Sequence, residues 1–121
     1  MARDDLVFIA GAGPVGLAAA VELTRRGVPV RIVDAGSGPT SAEQSRALGV
    51  LPTTLRIFEA SGLTQELLAA GTTIAGADIA IGGKPALSLG FAKARTPYPF
   101  ILSLPQGKTE RLMIAWLKAR A

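Results

Sequence analysis

Hydrophobic and polar positions divide the chain into stretches of different period. Residues 6–10 form an unbroken apolar run, the length of a buried strand. Glycines follow at 11, 13 and 16. Ala20 and Leu23 then fall on one face of a predicted helix that runs to about Arg26 and closes on Gly27. Val30 and Ile32 alternate along a second predicted strand, residues 30–34. Strand, glycine turn, helix and strand together make one βαβ unit. Residues 35–45 are polar and rich in Gly, Ser and Pro, the composition of a loop.

Helical spacing returns in residues 46–61, where Leu51, Leu55 and Phe58 share a face. Pro52 lies near the start of that predicted helix, and Gly62 suits its C-cap. Leu63 and Leu67, one turn apart, mark a short helix over residues 63–70, ended by Gly71. The period then drops to two. Ile79 and Ile81 precede Gly82-Gly83, and Leu87, Leu89 and Phe91 follow, which predicts a β-hairpin. Pro85 favours an edge position in it. Tyr98, Phe100, Leu102 and Leu104 alternate in a strand predicted over residues 98–104, and Pro105-Gln106-Gly107 breaks it. Thr109 is placed to cap a last helix to about Arg120, with Leu112 and Trp116 on one face. The fold class expected is α/β: a Rossmann-like βαβ half-domain over residues 1–70 with its helices, then hairpin, strand and C-terminal helix over residues 71–121. A doubly wound sheet has five or six strands, so the expected fold is incomplete as it stands.

Composition narrows the chemistry. The 121 residues allow one domain at most, and 49% hydrophobic content is enough for a core. The absence of cysteine excludes disulfides, thiolate metal sites and cysteine nucleophiles, and the absence of histidine removes the commonest general base and metal ligand. The net charge of +4 is scattered rather than gathered into a stripe, so a solvated surface is expected and no nucleic-acid partner. Residues 6–21 imitate a signal-peptide core. Asp4 and Asp5 stand before them where positive charge belongs, Gly and Pro interrupt them, and they fall short of the about 20 residues of a membrane span. A cytoplasmic protein without a membrane span is the expectation.

Residues 11–16 read GAGPVG, a G-x-G-x-x-G fingerprint between a predicted strand and helix. Gly11 permits the tight turn, Gly13 lets a pyrophosphate approach the backbone, and Gly16 lets the helix pack on the sheet. The helix N-terminus offers free N–H groups and partial positive charge. Asp34 ends the second strand, where a carboxylate accepts hydrogen bonds from adenosine ribose hydroxyls and disfavours a 2′-phosphate.

Three stretches extend the pattern: GAGPVGL at residues 11–17, SRALGVLPTTLRIFEASGL at residues 45–63, and TPYPFILSLPQGKTERLM at residues 96–113. In this order they resemble the FAD-dependent aromatic hydroxylases, the group A flavoprotein monooxygenases of the para-hydroxybenzoate hydroxylase type, in their N-terminal portion. The resemblance implies FAD as cofactor. It implies that Gly11, Gly13, Pro14, Val15 and Gly16 cradle the pyrophosphate and that Asp34, with Ala35 beside it, binds the adenosine. It implies that Arg46 pairs with the phosphates, its guanidinium fork matching their oxygens, and that Gln106 hydrogen-bonds the cofactor from the far side. In such a family NAD(P)H reduces the flavin and O₂ supplies one oxygen atom to an activated aromatic ring. No catalytic side chain carries over, and Tyr98 reads as a core aromatic.

Two departures stand out. Asp34 and Ala35 stand where the family more often has Glu and Arg. The family's later Asp-Gly and Gly-Asp motifs for the riboflavin part are absent from the sequence. The expectation is therefore an N-terminal part of a flavin monooxygenase, alone unable to hydroxylate, that self-associates or meets a second polypeptide. Another FAD- or NAD-binding oxidoreductase, and a non-catalytic remnant acting by association, remain alternatives.

Overall fold

The computed structural model describes residues 5–121, and Asp4, with most of the polar lead-in, lies outside them. The βαβ unit forms as its pattern predicts. Strands β1 (Val7–Ala10) and β2 (Val30–Val33) pair in parallel, with Val7 opposite Val30 and Ala10 opposite Val33. Helix α1 (Pro14–Arg25) connects them and buries Leu17, Ala20 and Val21. Side chains alternate across the two strands: Val7, Ile9, Val30 and Ile32 are half-buried, whereas Phe8 and Val33 on the opposite face are exposed.

The next segment departs from its helical spacing. Residues 46–50 do not enter the helix predicted over 46–61. Ala47–Val50 forms β3, helix α2 spans only Pro52–Ile57, and Phe58–Ser61 continues as a 3₁₀ turn. The cause is Pro52, which disfavours helical geometry in the residue before it, and Leu51 is accordingly extended at φ −80°, ψ 157°. Leu51, expected on the buried face, is exposed, while Leu55 and Phe58 are buried. Gly62 caps the turn at φ 80°, and α3 (Leu63–Ala70) follows and ends at Gly71.

Strands β4 (Thr72–Ile74) and β7 (Ile101–Pro105) join β3 in an antiparallel sheet of order β3-β7-β4. β7 begins later than the predicted strand over 98–104. Tyr98 and Phe100 remain outside it, with Phe100 N–H donating to Tyr98 O at 2.8 Å in a tight turn around Pro99. Leu102 and Leu104 are fully buried as the alternation requires. The predicted hairpin forms as β5 (Gly76–Ile81) and β6 (Lys84–Gly90). Gly82 at φ 58° and Gly83 at φ 76° supply the two left-handed residues of its tight turn, and Pro85 pairs with Ala80 beside a register shift.

The last helix, α4, spans Gln106–Lys118, so it starts before Thr109 rather than at it. Pro105 occupies the cap, and the Thr109 hydroxyl donates back to Pro105 O at 3.3 Å. Its Met113 and Trp116 complete a core with Leu17 and Val21 of α1, Leu55 and Phe58, Leu63 and Leu67 of α3, and Leu102 and Leu104 of β7. Leu112, expected to share the Trp116 face, is only partly buried. Trp116 Nε1–H donates to Ser61 O at 2.7 Å, so the indole enters the core with its polar group satisfied. Hydrogen bonds of β7 with β3 thus join the stretch after residue 70 to the stretch before it.

Candidate functional site

The glycine turn lies between β1 and α1. Gly11 has φ 111°, a conformation closed to most side chains, and its N–H donates to Val33 O at 2.7 Å. A Cβ on Gly16 would run into the Gly11 carbonyl, so α1 approaches the turn only without one. Gly13 is different. Its φ is an ordinary −77°, and a Cβ there would meet no protein atom within 4 Å. Backbone conformation accounts for Gly11 and packing for Gly16, whereas Gly13 faces open space with an ordinary φ.

Gly13 also caps α1, with no side-chain cap and no acidic residue in the first turn. Pro14 stands at the first helical positions, where a missing N–H costs nothing. The N–H groups of the first turn and the positive end of the helix dipole therefore lie uncompensated by side chains. A shallow cleft of about 470 Å³ follows Gly11, Gly13, Val15 and Gly16. Val15 is 85% exposed at its rim.

Asp34 follows β2 and is tied back to this turn. One carboxylate oxygen accepts the Ala12 N–H at 2.7 Å and the other accepts the Gly36 N–H at 2.7 Å. These two bonds, that from Ala12 foremost, hold its pKa below the usual carboxylate value despite a small opposing effect of burial. Each oxygen retains a further lone pair for hydroxyl donors. Ala35 is exposed beside it.

Arg46 and Gln106, 60 residues apart in sequence, become neighbours because β3 and β7 pair. Ala47 lies opposite Pro105, and the Gln106 N–H donates to Arg46 O at 2.8 Å. Arg46 is exposed, and among the described residues its guanidinium has no partner. Gln106 sits in the first turn of α4. Its Nε2 donates to Glu110 Oε1 at 2.9 Å and to Thr40 Oγ1 at 3.3 Å.

Glu110 did not emerge from the sequence, and it is 2% exposed. Its carboxylate accepts the Thr40 N–H at 2.6 Å and the Thr40 hydroxyl at 3.0 Å as well as the Gln106 amide. Burial raises its pKa, but the bonds from Gln106 and Thr40 outweigh that and leave it lowered, while the charge of Asp34 opposes its ionisation. The Gln-x-x-x-Glu spacing was legible as a helical pair, but nothing in the sequence points to Thr40. Beside this cluster a Cβ on Gly107 would strike the Thr40 carbonyl, and the Gly107 N–H donates to Ser45 Oγ at 3.2 Å.

Tyr98 is half-buried and stands edge-on to Phe100 at 6.3 Å. Its hydroxyl donates to Glu59 Oε1 at 2.7 Å, and that bond, with burial and the charge of Glu59, raises the phenol pKa. Among the described residues no cluster of His, Cys, Asp and Glu could hold a metal ion, and no helix is long and apolar enough to cross a membrane.

The FAD binding domain family matches residues 5–121. The chain belongs to the FAD-binding domain family. This FAD-binding domain is 42% identical over 109 residues to 6-methylpretetramide 4-monooxygenase of Streptomyces rimosus, covering 88% of the chain and 19% of that enzyme. It superposes on the flavin-dependent monooxygenase PieE, solved with FAD and substrate, with TM-score 0.77 and 26% identity over 99% of the chain and 23% of that enzyme. It shares the fold of p-nitrophenol 4-monooxygenase from Pseudomonas putida, with TM-score 0.81 and 23% identity over 95% of the chain and 30% of that enzyme. The chain therefore spans less than a third of the length of each of these relatives. FAD is the cofactor of the family, and the open approach to Gly13 at an uncapped helix N-terminus fits its pyrophosphate.

Proposed function

We propose that this chain holds the adenosine and diphosphate half of FAD within a flavin-dependent monooxygenase acting on an aromatic substrate. The observation that carries the reading is Gly13, the one glycine of the fingerprint that neither an unusual φ nor a neighbouring protein atom requires. Gly11, Gly13, Pro14, Val15 and Gly16 bring first-turn N–H groups to the pyrophosphate. Arg46 adds a charged fork to the same phosphates. Asp34, with Ala35 beside it, accepts the ribose hydroxyls through the lone pairs that Ala12 and Gly36 leave free. Gln106 meets the cofactor from the α4 side. Residues 1–121 act as one partial FAD-binding domain under this reading.

When bound and reduced by NAD(P)H, the flavin supplies the oxygen-transfer chemistry, and these residues bind and orient it. The reaction belongs in the cytoplasm, where nicotinamide reductants are kept, and needs no nucleic acid. Titration calorimetry with ADP and with FAD tests the site. Gly13→Val is expected to abolish binding with an unchanged circular dichroism spectrum. Normal ADP binding by that variant would reduce the glycine turn to a structural corner.

A second reading, association, has separate support. Phe8 is 60% exposed and Val33 43% on one sheet face, and Ile79, Ile81, Leu87 and Leu89 are exposed on the hairpin. Apolar surface of this extent marks a contact with another polypeptide or a second copy of this chain.

A further inference from the structure

We infer that Glu110 is a positioning residue that turns the Gln106 amide so that its carbonyl oxygen Oε1 is the atom offered to the cofactor. The inference rests on the FAD reading above and deepens it. A glutamine amide carries two N–H donors and one acceptor oxygen. The Gln106 nitrogen lies 2.9 Å from Glu110 Oε1 and 3.3 Å from Thr40 Oγ1. The Thr40 hydroxyl gives its own proton to Glu110 Oε1 at 3.0 Å, so toward Gln106 it is an acceptor. Both acceptors therefore lie on one side of Nε2, and the Thr40 hydroxyl donates onward to the same Glu110 oxygen, so the nitrogen end of the amide is held toward Glu110. An ionised carboxylate only accepts, so the reversed amide would set two oxygens against each other.

The consequence concerns ligand chemistry. The oxygen end of the Gln106 amide is turned away from Glu110, so the group that faces Oε1 must be a donor. The sugar and ribityl hydroxyls of FAD qualify, and its phosphate oxygens do not. The phosphates fall to the glycine turn and Arg46, and Gln106 reads a hydroxyl. Glu110 has a second task, because its other oxygen takes the Thr40 N–H at 2.6 Å and so holds the loop between β2 and β3 against α4.

Glu110→Gln keeps the shape and removes the all-acceptor character. By NMR one Gln106 Nε2 proton of the wild type should exchange with water about ten-fold more slowly than a free amide proton, and the variant should lose that protection. The Thr40 N–H should exchange about ten-fold faster in the variant while the Leu17 N–H is unchanged. FAD affinity should fall about ten-fold. In a Gln106→Ala background the same substitution should cost no further affinity, because Glu110 acts through Gln106. Equal losses in both backgrounds, or Gln106 signals unmoved by Glu110→Gln, would overturn the role. Should Glu110→Gln fail to fold, Thr40→Val leaves Glu110 as the acceptor and must keep one Nε2 proton slow; loss of that protection would overturn the role. A wild-type chain that binds no FAD overturns the functional reading, and the amide signals, which need no ligand, still decide the positioning role.

Discussion

Under the proposed function, Asp34 serves the fold and the ligand with one carboxylate. Its bonds to Ala12 and Gly36 hold the glycine turn against the end of β2 before any nucleotide arrives. Asp34→Ala is therefore expected to weaken ADP binding about ten-fold or more, by loss of charge-assisted hydrogen bonds and of the turn they shape. Asp34→Glu keeps the charge but lengthens the reach to both N–H groups, and its affinity should fall between the two. Calorimetry that ranks Asp34→Ala equal to wild type would remove Asp34 from the site. Acid should act in the same direction. The folded pKa of Asp34 lies below its unfolded value. The stability it contributes is then fully present above the unfolded value and is lost as pH falls through the folded one. ADP affinity should hold through neutrality and drop in acid, with a smaller acid response in Asp34→Ala. Asp34 was legible in the sequence because a carboxylate after a βαβ strand has a specific use. Glu110 was not, because its partner Thr40 lies 70 residues away.

At the scale of elements, the start of α4 decides how the loop before β3 is held. Gly107 lies inside the helix, where alanine is ordinarily better by about 0.5–1 kcal/mol. Here the backbone of Thr40 occupies the space a Cβ would need, and backbone cannot swing away as a flexible side chain can. Overpacking of this kind costs about 1–3 kcal/mol and exceeds the helical gain. Gly107→Ala is thus expected to lower stability by about 1–2 kcal/mol net in denaturant unfolding, with faster exchange of the Thr40 N–H. A stabilised variant would show that the loop moves aside without cost. The same element shows where pattern reading fell short. Pro105-Gln106-Gly107 has the composition of a turn, and Thr109 that of a cap. Yet Pro105 itself caps the helix, and Gly107 enters the first turn to admit a neighbouring backbone. Residues 46–50 failed in the complementary way, since their helical spacing yields to Pro52 and to pairing with β7.

For the molecule as a whole, apolar burial is uneven. The core between α1, α3, α4 and β7 is closed, whereas Phe8, Ile81 and Leu87 are each more than half exposed. Self-association that rises with protein concentration is expected in sedimentation experiments. Supplied with FAD, NAD(P)H and a panel of phenols, this chain should yield peroxide rather than hydroxylated product, because oxygen transfer needs a flavin shielded from water. Stoichiometric hydroxylated phenol from this chain by itself, or a monomer at every concentration, would count against this picture. Product that appears only when a second polypeptide is added would support the association.

The sequence alone determined the βαβ unit, the glycine turn, Asp34, the hairpin and most of the core. Each rests on local chemistry or on a period of two or 3.6 residues, which a chain carries within itself. It also carried the three stretches of the FAD-binding family, and with them Arg46 and Gln106 as separate residues. Only the tertiary structure decided that these two are neighbours, since an antiparallel register between β3 and β7 brings them together. Only it placed Glu110 and Thr40 behind Gln106, and only it separated Gly13, open to a ligand, from Gly16, closed by its own turn. These are contacts between residues distant along the chain, and the free energy of packing that selects them leaves no periodic mark in the sequence.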